Sequence, residues 1–118
     1  MNVELLEKVK TAILADASHF DMRYFAAKSV PGCGTVMCIA GHALHIGKGL
    51  TIEQIIYGKP FFDAKELLGI TDEQAESLFI LSFWPDDLVD KWYEANFEQK
   101  SKLAGERIDR FIKDYAAV

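Results

Sequence analysis

CGTVMCIAGHALHIGKG, residues 33–49, holds both cysteines of the chain, two of its three histidines and four of its eight glycines. Thr35 is a good helix cap, and the residues after it predict a helix from about Val36 to Ile46 that Gly47 and Gly49 end. At 100° per residue, Val36, Ala40, Ala43 and Gly47 share one side, where small side chains allow a close neighbour. Cys38, His42 and His45 fall within about 60° of one another on the opposite side. The stretch therefore predicts a helix pressed against its neighbours, with the reactive residue types gathered on its other face.

The chain on either side reads as amphipathic helix. Asn2 caps a first helix over Val3–Ala17, whose Leu5, Leu6, Val9, Ala12, Ile13 and Ala17 form a core stripe. Ser18 to Thr35 is less regular, with a short helical turn expected around Phe20–Ala27 and a turn at Val30-Pro31-Gly32. Thr51 opens a helix over Ile52–Tyr57, and another follows from about Pro60 to Leu68 with Gly69 as its stop. Thr71-Asp72-Glu73-Gln74 is a capping-box pattern. The helix after it is apolar nearly all round through Phe79, Ile80, Leu81 and Phe83, which predicts a central position or a contact surface. Trp84-Pro85-Asp86-Asp87 starts a helix ending near Asn96, its carboxylates suited to the positive end of the helix dipole. A last helix covers about Glu98–Tyr115, with Ala104, Ile108, Phe111, Ile112 and Tyr115 as its buried stripe. No strand pattern, internal repeat or low-complexity linker appears. At 118 residues, the expectation is one all-α domain over 1–118, a bundle of about five to seven short helices without a sheet.

Composition narrows the function classes. The hydrophobic share is 50%, the charged share 26% and the net charge −5. That acidic balance, with no Lys/Arg cluster interleaved with aromatics, argues against nucleic-acid binding. No apolar run has the length of a membrane span, and the charged N-terminus lacks the apolar core of a signal peptide. A cytoplasmic chain with reduced thiols follows as the expectation.

Two chemistries are open to residues 33–49. Cys38 to His42 is i, i+4 and His42 to His45 is i, i+3, spacings that bring side chains onto one ion, with Cys33 or His19 as a fourth ligand. Zinc is the cofactor this would imply, although no Cys-x2-Cys pair accompanies it. Alternatively Cys33, at the helix N-terminus, is placed for a lowered thiol pKa, and Cys33 and Cys38 for a reversible disulfide. The bland alternative is two cysteines packed as small hydrophobes. Gly41 to Lys48 fails as a phosphate loop, because the glycine spacing is wrong and Gly49 stands where Ser or Thr is required. Asp86, Asp87, Asp90 and Glu94 lack the spacing of a calcium loop and read as a solvated face. The aromatic set Phe79, Phe83, Trp84, Trp92, Tyr93 and Phe97 is dense enough for a self-association patch besides a core.

His19-Phe20-Asp21-Met22 and Cys33-Gly34-Thr35-x-x-Cys38-x-Ala40-Gly41-His42-Ala43 resemble a family of small bacterial and phage proteins sharing an F-D-M segment and a C-G-T-x-x-C-x-A-G-[H/W]-A segment. The resemblance covers about a quarter of the chain and implies no activity, the family having no assigned function. Trp also stands at the position of His42 in that pattern, which implies that His42 is not an obligatory ligand. Weight moves to Asp21, Cys33, Gly34, Thr35, Cys38 and Gly41 as a structural lock. In it Asp21 accepts N–H bonds near the helix start, Thr35 caps and both thiols pack beneath. The sequence thus predicts a non-enzymatic binding or assembly module, a homo-oligomer or a partner of another protein. A metal or thiol protein is the alternative.

Overall fold

Among the described residues there are seven α-helices: α1 (Val3–Ala15), α2 (Ile39–Lys48), α3 (Ile52–Tyr57), α4 (Pro60–Leu68), α5 (Asp72–Phe79), α6 (Asp86–Trp92) and α7 (Phe97–Tyr115). The computed structural model describes residues 1–28 and 35–116. Cys33, Gly34 and the turn expected at Val30-Pro31-Gly32 lie outside the described residues. The all-α bundle expected from sequence is the observed architecture. The described residues add a two-residue antiparallel ladder between β1 (Ala27–Lys28) and β2 (Thr35–Val36) and an isolated parallel bridge between Phe20 and Met37.

α2 is the centre of the bundle. It packs between α1 and α4 and also touches α3 and α5, while α7 lies along α1 and reaches α5 and α6. Ile39, Ala40, Ala43 and Leu44 of α2 are fully buried and belong to one continuous core with Leu5, Leu6, Val9 and Ile13 of α1 and Ile108 and Phe111 of α7. The helix ends follow local chemistry. Asn2 Oδ1 accepts the Leu5 N–H at 3.0 Å, and Thr51, Thr71 and Asn96 each form a complete capping box. α2 and α4 stop at Gly49 and Gly69, whose φ of 66° and 67° only glycine adopts readily.

Several expected boundaries move. α2 begins at Ile39, not Val36, and Cys38 rather than Thr35 occupies its N-cap position. The backbone N–H groups of Met37 and Cys38 are already taken by the carbonyls of His19 and Tyr24, so the chain before Ile39 runs extended. No helical turn forms over Phe20–Ala27: after a 3-10 turn at Ala17–His19 the chain turns at 22–23 and bends at 25–26 before β1. α1 stops at Ala15, where Asp16 caps the following turn through Ser18. α5 stops at Phe79 before a 3-10 turn over Leu81–Phe83 that leaves Ile80 and Phe83 exposed, and α6 ends at Trp92. On α7 the expected stripe holds for Ala104, Ile108 and Phe111, but Ile112 is only partly buried and Tyr115 is exposed.

Two buried polar side chains on α7 join elements. Ser101 Oγ donates to the carbonyl of Ile13 at 2.6 Å, and Arg107 donates from Nε and Nη2 to the carbonyl of Ser77 at 3.2 and 3.0 Å. Both acceptors sit in the last turn of a helix, where carbonyls lack an intrahelical donor. Among the described residues no helix is long and apolar enough to cross a membrane. Ser101→Ala strands the Ile13 carbonyl in the core and is expected to cost about 1–3 kcal/mol, read as a lower urea midpoint with an unchanged slope.

Candidate functional site

The N-terminus of α2 is wrapped by residues 19–28. Met37 N–H donates to the His19 carbonyl at 2.9 Å, Asp21 N–H to the Met37 carbonyl at 3.2 Å and Cys38 N–H to the Tyr24 carbonyl at 2.9 Å. Beyond them comes a closer contact. A Cβ built on Gly41 would lie 1.8 Å from the Phe25 carbonyl oxygen and 2.9 Å from its carbon. Only a residue without a Cβ admits that carbonyl. Gly41 is therefore the member of the sequence motif with the most sharply defined role.

The reactive residue types are occupied by this architecture. Cys38 is buried, and burial pushes its thiol up to about 11, with the N–H groups of Gly41 and Ala40 opposing the rise. At neutral pH it is a protonated thiol at the head of a helix. His42 is also buried. Its Nδ1 lies 3.0 Å from the Cys38 carbonyl, and because a carbonyl only accepts, Nδ1 carries the proton. Burial holds His42 below its ordinary pKa, against the raising effect of the Cys38 carbonyl. His45 is exposed and donates from Nδ1 to the Leu50 carbonyl at 2.9 Å, at the other end of α2. His19 Nε2 is 3.1 Å from Asp16 Oδ2. Among the described residues no group of three or more His, Cys, Asp or Glu side chains converges to hold a metal.

Asp21 differs from its expected role. Its Oδ1 accepts the Arg23 backbone N–H at 2.9 Å, and its carboxylate meets Arg23 Nε at 3.1 Å and Nη2 at 2.7 Å. Burial works to raise this carboxyl, but the bonds and charge of Arg23, joined by the charge of Lys100, outweigh it and hold the group below the usual carboxylate range.

The Phe20–Arg23 segment forms one wall of a cleft of about 390 Å³. Leu81, Trp92, Phe97 and Lys100 complete it. The aromatic wall is ordered: Phe20 meets Trp92 edge to face at 5.9 Å, and Trp92 meets Trp84 edge to face at 5.4 Å. Trp84 Nε1 donates to the Leu78 carbonyl at 2.9 Å, which fixes the far end of the row. Lys100 Nζ lies 5.3 Å from the centre of the Trp92 ring. Phe97, the first residue of α7, is 67% exposed at the mouth. A second concavity of about 410 Å³ between α6 and α7 is lined chiefly by charged and polar side chains, among them Lys91, Glu94, Lys102 and Glu106. It lacks the mixed aromatic and charged lining of a ligand site.

One half of this cleft is legible in the sequence. Phe20, Asp21 and Met22 stand out in the F-D-M segment and Leu81 in the all-round apolar stretch expected to be central or a contact surface, whereas Lys100 carries no signal and Trp92 and Phe97 are only members of an aromatic set. Asn96-x-x-Gln99, a capping box that sets Phe97 at the helix start, is the local pattern that could have shown the second half. No family model, curated protein or solved structure matches the chain.

Gly41→Ala gains up to about 1 kcal/mol in helix propensity but drives a methyl into a backbone carbonyl, and a net loss of about 1–3 kcal/mol or more is expected. Gly105→Ala is the matched control. The nearest atoms to its Cβ would be Cδ2 of the Leu14 side chain at 3.4 Å and Cδ1 and Cγ at 3.5 Å, ordinary van der Waals contact, so a neutral or stabilising effect is expected. Thermal unfolding of the two variants beside the parent checks the opposite signs. His42 predicts a pH dependence. The unfolded chain takes up a proton as pH falls through about 6.5 while the native ring resists, so stability falls with pH through that value. Urea midpoints from about pH 7.5 to 5 should show this slope, and His42→Gln should flatten it.

Proposed function

We propose that this chain is a non-enzymatic binding and assembly module of the cytoplasm, acting through the end of the bundle where the 3-10 turn at Leu81–Phe83, α6 and the start of α7 meet the F-D-M segment. It associates there as a homo-oligomer or with another protein. The observation that carries the reading is the group of large aromatic side chains on these elements that the fold leaves in solvent. Tyr93 is 75% exposed and Phe97 67%, and Phe83 is exposed as well. Phe97 lines a cleft whose walls include the apolar side chains of Phe20, Leu81 and Trp92, and Tyr93 and Phe83 are the chain neighbours of cleft elements. Burying three such rings is worth several kcal/mol to an association, at about 25 cal/mol per Å² of apolar surface. Aromatics of this kind are enriched where two protein surfaces meet. The free, buried thiol of Cys38 fits a reducing compartment.

Size-exclusion chromatography with light scattering over a wide concentration range tests the assembly. The parent is expected to shift from monomer mass to a defined oligomer as concentration rises, and Tyr93→Ser with Phe97→Ser to hold the chain at monomer mass while leaving its helical circular dichroism intact. A strict monomer at the highest concentration contradicts self-assembly.

A further inference from the structure

The cleft under Phe97 combines two features that ligand sites combine: a few hundred Å³ of mostly apolar space, and a small number of charged groups at fixed positions. Its ring-lined side is directional. Phe20 and Trp92 line it at 85° to one another, with Trp84 already edge to face on Trp92 and His42 6.3 Å from Phe20, so a flat ring entering the cleft extends an aromatic cluster, and aromatic quadrupoles favour such tilted contacts. Phe97 stands at the mouth, exposed and positioned to cover what enters.

Charge selects further. Three ionic groups line the cleft: Asp21, Arg23 and Lys100. Asp21 and Arg23 neutralise each other through a forked pair in which both carboxylate oxygens are engaged. Lys100 remains. Its ammonium rests over the Trp92 ring, and among the described residues no carboxylate reaches it at ion-pair distance. A cationic ligand would meet that ammonium with Asp21 already committed, and a neutral ligand would gain no charge-assisted bond from it. An anion meets it directly.

We propose that this cleft binds a small aryl carboxylate, with its ring beside Phe20 and Trp92 under Phe97 and its carboxylate on Lys100 Nζ, an assignment that rests on reading this end of the bundle as a binding surface. The carboxylate accepts from Lys100, and the Arg23–Asp21 pair stays closed. Binding is expected to weaken with salt, since one half-exposed cation supplies the anion selectivity.

The test uses 3-phenylpropionate and its neutral analogue 3-phenylpropan-1-ol, titrated at low salt and read by tryptophan emission and by amide shifts in heteronuclear NMR. The acid is expected to give a saturable response at residues 20–23, 81 and 97–100, and the alcohol to bind about tenfold more weakly, the scale of one charge-assisted bond. Lys100→Met should bring the acid to the level of the alcohol without changing the alcohol, Lys100→Arg should keep the preference, and Phe97→Ala should weaken both. No saturable response to the acid, equal binding of acid and alcohol by the parent, or an unaltered preference in Lys100→Met overturns the proposal. If those results accompany concentration-dependent association of the parent, the ligand assignment fails alone; if the parent is also a strict monomer, the self-assembly reading fails with it.

Discussion

The carbonyl oxygen of Phe25 sits where the side chain of Gly41 would be, and the local structure around α2 depends on that contact. It holds residues 19–28 against the first turn of the central helix, which aligns the His19 and Tyr24 carbonyls with the N–H groups of Met37 and Cys38. Phe20 is thereby pressed onto Trp92, and Asp21 and Met22 become a wall of the cleft. A backbone–backbone approach of this kind has little freedom to relax, because no rotamer change relieves it. The glycine in the motif thus shapes a cleft that it does not line.

Polar groups in the core follow one rule. His42, Ser101 and Arg107 are the buried polar side chains among the described residues, and each donates to a backbone carbonyl near a helix end: Cys38, Ile13 and Ser77. No buried side-chain nitrogen or oxygen among the described residues is left without a partner. The interior is closed in this sense, and its histidine and thiol are held in their neutral forms by burial. Lys100 at the cleft stands in contrast, a cation whose neighbours are a ring face and the field of an already paired carboxylate.

Helical periodicity, capping residues and stop glycines made most of the bundle legible in the sequence. Asn2, Thr51, Thr71, Gly49 and Gly69 act where local chemistry places them. The start of α2 was not legible, because its limit is set by carbonyls of His19 and Tyr24 that no local pattern announces. Counting Cys38 with His42 and His45 on one helical face assumed a helix through Val36; the chain is extended there, and Cys38 is a cap. Gly41 was visible as a small residue in a motif, but its contact with Phe25 lies across a change of chain direction. The cleft was half legible for the same reason. Phe20 and Trp92 are far apart in sequence and meet only in the folded bundle, where α7 packs on both α1 and α6 and α1 packs on α2.

Latching of residues 19–28 onto α2 through Gly41 and Phe25 is most directly tested by native-state hydrogen exchange of the amides of Asp21, Met37 and Cys38 under increasing sub-denaturing urea. The segment should open as one unit, so the three amides should share one opening free energy and one urea dependence. Exchange of Asp21 at nearly the unprotected rate, with Met37 and Cys38 protected up to global unfolding, would contradict the latch.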